Sequence, residues 1–268
     1  MSKRFEGRSF VITGGYGGIG AAQCVALGEE GATVWVAGRD SQKAEAIALE
    51  VSSAGGEGRT FPLDVADPSS WEGLAARVGE HGDGLLHGLV NNAGISHRVG
   101  VTNTTVDNWH RVLDTNLSGI FYGMKFLQPA LAAAGSASIV NTSSVWGLIG
   151  YMSASYTATK WAVRGLTKTA SAEFAEFGIR VNSIHPGPIE TPLMWQQGDT
   201  DFINATLRTV PAQRTCEPSE LANTVLYLLS DQAAYITGSE IAVDGGLTAA
   251  GLSYRILADA KPRSAEAA

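Results

Sequence analysis

Short apolar runs and longer amphipathic stretches alternate along this chain. Several short runs are rich in Val and Ile without alternating polar residues, which is typical of parallel strands covered on both faces. The predicted strands are Ser9–Thr13, Thr33–Ala37, Thr60–Asp64, Leu86–Asn91, Ala137–Thr142, Arg180–His185 and Glu240–Val243. The longer stretches repeat apolar residues at helical spacing. They predict helices at Gly18–Glu30, Ser41–Ala54, Pro68–Glu80, Val106–Ala133, Ser153–Phe177 and Pro218–Ser230.

The regular order of strand, helix and strand predicts right-handed crossovers between parallel strands. We therefore expect an α/β protein with a single-domain Rossmann fold, in which a doubly wound seven-stranded parallel sheet carries helices on both faces. This domain is assigned to residues 1–248. Residues 249–268 are assigned to a C-terminal tail, which we expect to be flexible from Lys261 onward because its last residues are small and polar.

Ligands of doubly wound sheets bind beyond the carboxyl ends of the strands. The glycine-rich and polar signals of this sequence fall on six segments that directly follow predicted strands. These segments are Gly14–Gly20, Gly38–Asp40, Asp64–Val65, Asn92–Gly94, Ser143–Gly147 and Pro186–Thr191. The sequence therefore predicts a ligand site at this edge of the sheet.

Composition and charge exclude several classes of protein. The 268 residues are 44% hydrophobic, as in globular proteins, and the net charge of −7 opposes binding to nucleic acid or to anionic membranes. Cys24 and Cys216 form no C-x-x-C pair and have no clustered histidines near them, so no metal site is expected. There is no signal-peptide pattern and no apolar run of about 18 residues, so a cytoplasmic protein is expected.

A glycine-rich segment follows the first strand. Glycines allow a tight turn and a close approach to a pyrophosphate, and the N–H groups of a helix beginning near Gly18 point at that anion. The pattern T-G-x-x-x-G-I-G at 13–20 resembles the fingerprint of the short-chain dehydrogenase/reductase family. The resemblance covers about residues 5–248 and implies a nicotinamide cofactor. In this loop it implies cofactor contacts by Gly14, Tyr16, Gly17, Gly18, Ile19 and Gly20.

The end of the second strand bears on the choice of cofactor. By resemblance, Gly38 stands where family members that use NAD place Asp, and Arg39 stands where members that use NADP often carry Arg. A guanidinium there would pair with the 2′-phosphate, so NADP(H) is favoured over NAD(H). Asp40 could neutralise Arg39, and many NADP enzymes of the family have a basic residue in place of Gly17. An ordinary surface role for Arg39 stays open.

Three further segments match cofactor-contacting motifs of the family. The segment after the third strand resembles the adenine contact, N-N-A-G at 91–94 resembles the ribose contact, and the P-G motif after the sixth strand resembles the carboxamide contact. The residues implied are Asp64, Val65, Asn92, Ala93, Gly94, Pro186, Gly187, Ile189 and Thr191.

Tyr156 and Lys160 form the pattern Y-x-x-x-K on one face of a predicted helix. A phenol with a pKa near 10 is a poor acid or base at neutral pH, and a nearby ammonium lowers that pKa. Tyr156 can then exchange a proton with an alcohol or with the alkoxide that forms from a ketone. In the family both residues also contact the cofactor.

A serine and an asparagine complete the catalytic set that the resemblance implies. The pattern at 141–147 assigns the substrate oxygen to Ser144 and implies a one-residue deletion in the loop 148–155. The spacing of thirteen residues before Tyr156 points instead to Ser143, which stays an alternative. Asn116 is implied to position Lys160 through a water.

The expected function is hydride transfer between a secondary alcohol and a ketone, with a small-molecule substrate. Residues 156–181 resemble those of bacterial hydroxysteroid and cyclic alcohol dehydrogenases. No Arg or Lys was identified to clamp an acid, so a neutral, fairly hydrophobic or cyclic substrate is expected. The candidate pocket residues are Ser96, His97, Trp146, Tyr151, Met152, Pro188, Met194, Trp195 and Phe202.

Other functions remain in view. A 3-oxoacyl carrier-protein reductase would need a basic patch for its acidic carrier, and a noncatalytic cofactor-binding regulator would typically lack Tyr156 or Lys160. An enoyl reductase is rejected because Ser153 stands where it would place its tyrosine. The helices 106–133 and 153–177 and the strand region 241–247 resemble family interfaces, so a homotetramer or homodimer is expected.

Overall fold

The computed structural model describes residues 3–195 and 200–260. Seven parallel strands form one sheet in the order β3-β2-β1-β4-β5-β6-β7. The strands are β1 (Ser9–Thr13), β2 (Thr33–Gly38), β3 (Glu57–Pro62), β4 (Gly88–Asn91), β5 (Ala137–Thr142), β6 (Ile179–Pro186) and β7 (Glu240–Val243). This order confirms the doubly wound fold expected from the sequence, with the chain reversing direction across the sheet between β3 and β4.

Helices connect the strands and cover the sheet. They are α1 (Gly18–Glu29), α2 (Ser41–Ser53), α3 (Pro68–Gly79), α4 (Val106–Leu113), α5 (Gly119–Ala133), α6 (Ala154–Glu173), α7 (Pro192–Trp195), α8 (Thr200–Leu207), α9 (Pro218–Leu229) and α10 (Leu247–Ala260). In the part of the chain that the structure describes, no helix is both long and apolar enough to cross a membrane.

The sheet buries both of its faces. Along β1, Phe10 and Ile12 pack on one side against α1, α2 and α9. Val11 points to the other side, where α3, α5 and α6 lie. Successive side chains of a strand point to opposite faces, so a central strand with helices on both sides carries apolar residues on both faces. This burial explains the Val- and Ile-rich runs of the sequence.

Several predicted elements differ from the observed ones by a few residues at their ends, and two differ in ways that have a physical reason. β3 begins at Glu57 rather than Thr60, because this partly exposed strand at the sheet edge is fixed by pairing with β2 and not by apolar residues. The predicted helix 106–133 is interrupted at Asp114–Ser118 by a π-helical turn between α4 and α5. The helix runs on through this turn, which adds one residue to the ring closed by each hydrogen bond.

The first part of the predicted C-terminal tail is helical. Residues 249–260, assigned to a tail, form most of α10. The stretch from Lys261 onward, which was expected to be flexible, lies outside the described residues. The short helices α7 and α8 were not predicted, and they follow β6 at the carboxyl edge of the sheet.

Gly58 allows β3 and α2 to approach closely. A Cβ at this position would overlap the carbonyl oxygen of Ala48 in α2. Backbone on both sides leaves no flexible side chain to move away, so an added methyl group must displace the helix or the strand.

We predict that Gly58→Ala lowers the free energy of unfolding by about 1–3 kcal/mol, because overpacking strains the contact between α2 and β3. Chemical denaturation measures the effect. Gly79→Ala is the matched control, since a Cβ there meets no atom within 4 Å. The control should be neutral or raise stability by up to about 1 kcal/mol. Equal losses in the two variants would contradict this account.

Candidate active site

A cavity opens at the carboxyl edge of the sheet. It is lined by residues of the segments that follow β1, β4, β5 and β6, four of the six segments singled out in the sequence. Of the candidate pocket residues, those that line it are Ser96, Trp146, Tyr151, Pro188, Met194 and Phe202. Met152 and Trp195 are exposed instead, and His97 is not part of the lining.

The glycine loop after β1 forms a cradle that side chains would fill. A Cβ at Gly20 would overlap the carbonyl oxygen of Gly14, and one at Gly18 would lie 2.8 Å from Thr191 Cγ2. Gly17 is the N-cap of α1 and offers no capping side chain. The N–H groups of the first turn are therefore left for another acceptor, as a pyrophosphate requires. The donor set of this loop fits a dinucleotide.

Thr13 connects the glycine loop to the segment after β4, a contact that sequence reasoning missed. Its Oγ1 accepts hydrogen bonds from the N–H groups of Asn92 and Ala93, both at 3.0 Å. Asn92 Nδ2 donates in return to the Thr13 carbonyl at 3.1 Å. Asn92 and Ala93, two of the predicted ribose contacts, are thereby held beside the glycine loop.

The end of β2 presents Arg39 without an acidic partner among the described residues. Asp40 is engaged elsewhere: it caps α2 by accepting from the Lys43 N–H at 3.1 Å and pairs with Lys43 Nζ at 3.1 Å. The Tyr16 ring lies over Gly38, where a Cβ would come within 3.1 Å of its Cδ1 atom and closer still to Cε1. An acidic side chain at position 38 would therefore collide with Tyr16.

The other cofactor residues predicted from the sequence lie at the same edge. Asp64 and Val65 follow β3, outside the lining of the cavity, and the Asp64 carboxylate accepts from the Ala66 N–H at 3.0 Å. After β6, the Gly187 N–H donates to the Val243 carbonyl at 3.0 Å. Pro186, Gly187, Ile189 and Thr191 all line the cavity. Thr191 closes the cradle against Gly18.

Tyr156, in the first turn of α6, faces the cavity beside Ser144. Burial raises the pKa of the Tyr156 phenol above its usual value, and a hydrogen bond with the Ser144 side chain and the charge of Arg98 both act to lower it. Ser144 Oγ also accepts a hydrogen bond from the Trp146 N–H at 3.2 Å. This bond fixes the hydroxyl at the start of the loop that follows β5. Two hydroxyls therefore meet at one point of the cavity.

Ser143 and Ser144 point to different partners. The Ser143 hydroxyl donates to the backbone carbonyl of Lys160 at 2.8 Å and so ties the loop to α6. The Ser144 side chain is the one whose hydrogen bonding lowers the Tyr156 pKa. Both residues are buried and both line the cavity.

Lys160 lies one turn after Tyr156, with its Nζ 5.5 Å from the centre of the tyrosine ring. Only 3% of Lys160 is exposed, and desolvation lowers its pKa to about 8. Its Nζ donates to the Thr142 carbonyl at 2.7 Å. The ammonium is thus held by the end of β5 rather than by an acid.

Asn116 sits in the π-helical turn and is fully buried. Its amide bonds the backbone of Ile95 twice, accepting from the N–H at 2.8 Å and donating to the carbonyl at 2.9 Å. A Cβ at Gly94 would lie 3.4 Å from Asn116 Oδ1 and 3.7 Å from Lys160 Nζ. Because Gly94 has no side chain, the space between these two polar groups is not filled by a methyl group.

Two residues that the sequence analysis did not single out hold the serine loop. His185 Nδ1 lies 3.0 Å from the Ser144 carbonyl, and Arg164 Nη1 donates to the Gly147 carbonyl at 3.0 Å. Arg164 also pairs with Glu240 at 2.8 Å. His185 ends a predicted strand, and this position was the only sign in the sequence that it lies near the site.

Arg98 lines the cavity, although the sequence analysis identified no arginine there. It lies four residues after Gly94, between the candidates Ser96 and His97 and the next helix. Its position after a strand end was the signal that could have found it. In the described parts of the chain, no cluster of His, Cys, Asp or Glu side chains could hold a metal ion.

Comparison with known proteins adds to this geometry. The family model described as enoyl-(acyl carrier protein) reductase matches residues 14–248. A 3-alpha-(or 20-beta)-hydroxysteroid dehydrogenase of Mycobacterium tuberculosis is 40% identical over 95% of this chain and 94% of that protein. Cyclohexanol dehydrogenase of Acinetobacter sp. is 38% identical over 92% and 98% of the two chains.

A solved structure agrees with these matches. A short-chain type dehydrogenase/reductase from Mycobacterium ulcerans superposes with a TM-score of 0.86 at 31% identity, covering 91% of this chain and 90% of that one. The description of the family model names an enoyl reductase, whereas the whole-chain relatives are named as alcohol dehydrogenases. In this chain Ser153, where an enoyl reductase would place its tyrosine, instead donates to the His97 carbonyl. The chain belongs to the short-chain dehydrogenase/reductase family.

Proposed function

We propose that this protein is an NAD(P)(H)-dependent oxidoreductase that interconverts a cyclic secondary alcohol and the corresponding ketone. The observation that carries the proposal is the meeting of the Tyr156 phenol and the Ser144 hydroxyl, with the Lys160 ammonium on the tyrosine ring, in a cavity next to a glycine cradle. This set supplies a proton, a hydrogen-bond donor and a positive charge at one point.

In this mechanism the Tyr156 hydroxyl is the acid/base group. A substrate oxygen placed between Ser144 and Tyr156 accepts a hydrogen bond from each, so its carbonyl is polarised. When bound, the nicotinamide supplies or accepts the hydride. Tyr156 donates its proton to the oxygen as the ketone is reduced and takes it back as the alcohol is oxidised. We assign the serine role to Ser144, since the Ser143 hydroxyl is used on the Lys160 carbonyl.

Lys160 makes this proton exchange easier. Burial alone raises the Tyr156 pKa, which would leave the phenol protonated at neutral pH. An ammonium near the ring favours the phenolate. We assign Asn116 to position Lys160 through a water, because the gap at Gly94 lies between their polar atoms.

The cofactor would lie along the carboxyl edge of the sheet. The cradle Gly14–Gly20 and the N-terminus of α1 would hold the pyrophosphate, Asp64 and Val65 the adenine, and Asn92–Gly94 the ribose. The segment Pro186–Thr191 would hold the carboxamide, with Tyr156 and Lys160 near the adjoining ribose.

We favour NADP(H) over NAD(H). Asp40 is bound to Lys43 and is therefore not available to neutralise Arg39. Position 38 is a glycine, so no acidic side chain stands there to repel a 2′-phosphate. The exposed Arg39 guanidinium is left to pair with that phosphate.

A cyclic substrate agrees with the walls of the cavity and with the named relatives. Trp146 and Tyr151 stack with ring centres 4.2 Å apart, and Phe202 lies 5.8 Å from Tyr151. Flat aromatic walls suit a ring of carbon atoms. The relatives are named as hydroxysteroid and cyclohexanol dehydrogenases, which does not favour a carrier-protein reductase or a noncatalytic regulator.

We also propose that the protein is a homodimer or homotetramer. Phe121 on α5 is 44% exposed and Trp161 on α6 is 45% exposed, on the two helices that the sequence analysis assigned to an interface. Burying them in a second copy would stabilise the assembly. The cytoplasmic location expected from the sequence stays a prediction.

Tyr156→Phe is expected to lower kcat for reduction of cyclic ketones by about 10²–10⁴-fold, because the proton donor is removed while the ring is kept. The rate is measured by the loss of reduced-cofactor absorbance, and cofactor binding by fluorescence should persist. Tyr235→Phe, the same change at a fully exposed tyrosine, is the control. Equal activity in the two variants would refute the assigned role of Tyr156.

Arg39→Gln is expected to weaken NADPH binding by about 10- to 100-fold, since a charged hydrogen-bonding pair with the 2′-phosphate is lost. NADH, which lacks that phosphate, should bind the variant nearly as well as it binds the wild type. Titration of each cofactor by fluorescence measures both affinities. An equal loss of affinity for NADPH and NADH would show that Arg39 does not bind the 2′-phosphate.

Lys160 makes the stability of the protein depend on pH. Its pKa is 10.5 when solvated and about 8 when buried, so between these values the unfolded chain binds more protons than the folded one. The free energy of unfolding of the wild type should therefore rise with pH in this window, by up to roughly 3 kcal/mol relative to Lys160→Met. Urea denaturation at several pH values measures this difference. Lys125→Met changes an exposed lysine, and its free energy of unfolding should depend on pH as that of the wild type does. If Lys160→Met also showed the pH dependence of the wild type, the assignment of the effect to the buried Lys160 charge would be wrong.

A further inference from the structure

Arg98 brings a positive charge into the wall of the cavity. It shares the lining with Tyr156, and its charge acts to lower the Tyr156 pKa, so the guanidinium lies within electrostatic reach of the reacting oxygen. The lining contains a second cation, Lys160, and no Asp or Glu among its described residues. A cavity with two cations and no acid favours an anionic occupant.

The hydrogen bonds of Arg98 are incomplete. Its Nη2 donates to the Met194 carbonyl at 3.4 Å, and its Cζ lies 5.6 Å from the centre of the Phe202 ring. Its Nη1 is buried and has no hydrogen-bond partner among the described residues. A buried donor without an acceptor is costly, and the cost disappears when a ligand supplies an oxygen.

The backbone on both sides of Arg98 is anchored. The Ser153 hydroxyl donates to the His97 carbonyl, and the Ala154 N–H donates to the Val99 carbonyl at 3.0 Å. Thr104 Oγ1 also donates to the Val99 carbonyl, at 3.1 Å. The bonds from Ser153 and Ala154 attach the loop to the start of α6, the helix that carries Tyr156. The backbone that carries Arg98 is therefore held at a set position relative to the acid/base group, as a specificity contact requires.

We propose that Arg98 binds a carboxylate on the substrate, so that the cavity accepts cyclic alcohols and ketones that carry an acid group away from the reacting carbon. The inference rests on the proposed function. A single guanidinium matches the single charge and the planar oxygens of a carboxylate. The neutral substrate expected from the sequence depended on the absence of such a cation, and Arg98 removes that reason.

The test compares two ketones that differ only in charge, 4-oxocyclohexanecarboxylate and its methyl ester. The ratio of their kcat/KM values is measured with the wild type, Arg98→Met, Arg98→Lys and the control Arg77→Met, which removes the same charge from an exposed position on α3. In parallel, calorimetry measures binding of the acid to each enzyme with cofactor present, which requires no turnover.

We expect Arg98→Met to lower the acid-to-ester ratio by about 10- to 100-fold, mainly through KM for the acid, because a charged hydrogen bond is lost. Calorimetry should show the same loss of affinity for the acid. Arg98→Lys should restore part of the acid-to-ester ratio and part of the affinity for the acid. Arg77→Met should match the wild type in both quantities.

Other outcomes separate the inference from the proposed function. The inference is overturned if the wild type prefers the ester, or if Arg98→Met lowers kcat/KM for the acid and for the ester equally. In either case Arg98 supports α7 and α8 or acts on Tyr156, and the oxidoreductase function stands. If the acid binds through Arg98 but neither ketone turns over, the inference holds and the proposed reaction fails. If the acid neither binds nor reacts, the inference is wrong.

Discussion

The burial of the Lys160 ammonium is the constraint on which the rest of the site depends. A charge in these surroundings lowers the stability of the fold, and the depressed pKa measures that cost. The Thr142 carbonyl compensates part of it through a short hydrogen bond, which requires the start of α6 to lie across the end of β5. The same placement brings Tyr156 over the loop of Ser144. A buried charge that lowers stability, at a position where an apolar side chain could pack, is typical of a functional site.

Several positively charged groups lie at the carboxyl edge of the sheet, although the net charge of the chain is −7. The uncapped N-terminus of α1, the exposed Arg39, the buried Lys160 and Arg98 all contribute to the positive potential there. Asp40, which follows Arg39 directly in sequence, pairs with Lys43 instead. The overall negative charge favours solubility, whereas the local field favours phosphates and other anions. Local arrangement, and not total charge, decides which ligands the edge attracts.

The doubly wound parallel sheet and the positions of the polar segments could be predicted from the sequence, because both follow from periodicity and from the geometry of parallel sheets. The π-helical turn at Asp114–Ser118 could not, since the apolar pattern of a helix continues through it. The early start of β3 was missed because edge pairing, not apolar content, determines it. Arg98 was missed because the path of its loop depends on bonds to Ser153 and Ala154, which are about 55 residues away in sequence.

The anchoring of the Arg98 loop to α6 has a geometric consequence. Ser153 and Ala154 hold the loop at the start of the helix, and Tyr156 follows within one turn of the same rigid element. A helix advances by about 1.5 Å per residue and resists stretching. The backbone of the Arg98 loop and Tyr156 are thus attached to one rigid segment, although His97 and Ser153 are 56 residues apart in sequence. A shift of the start of α6 would therefore move the proton-transferring residue and the backbone that carries Arg98 together.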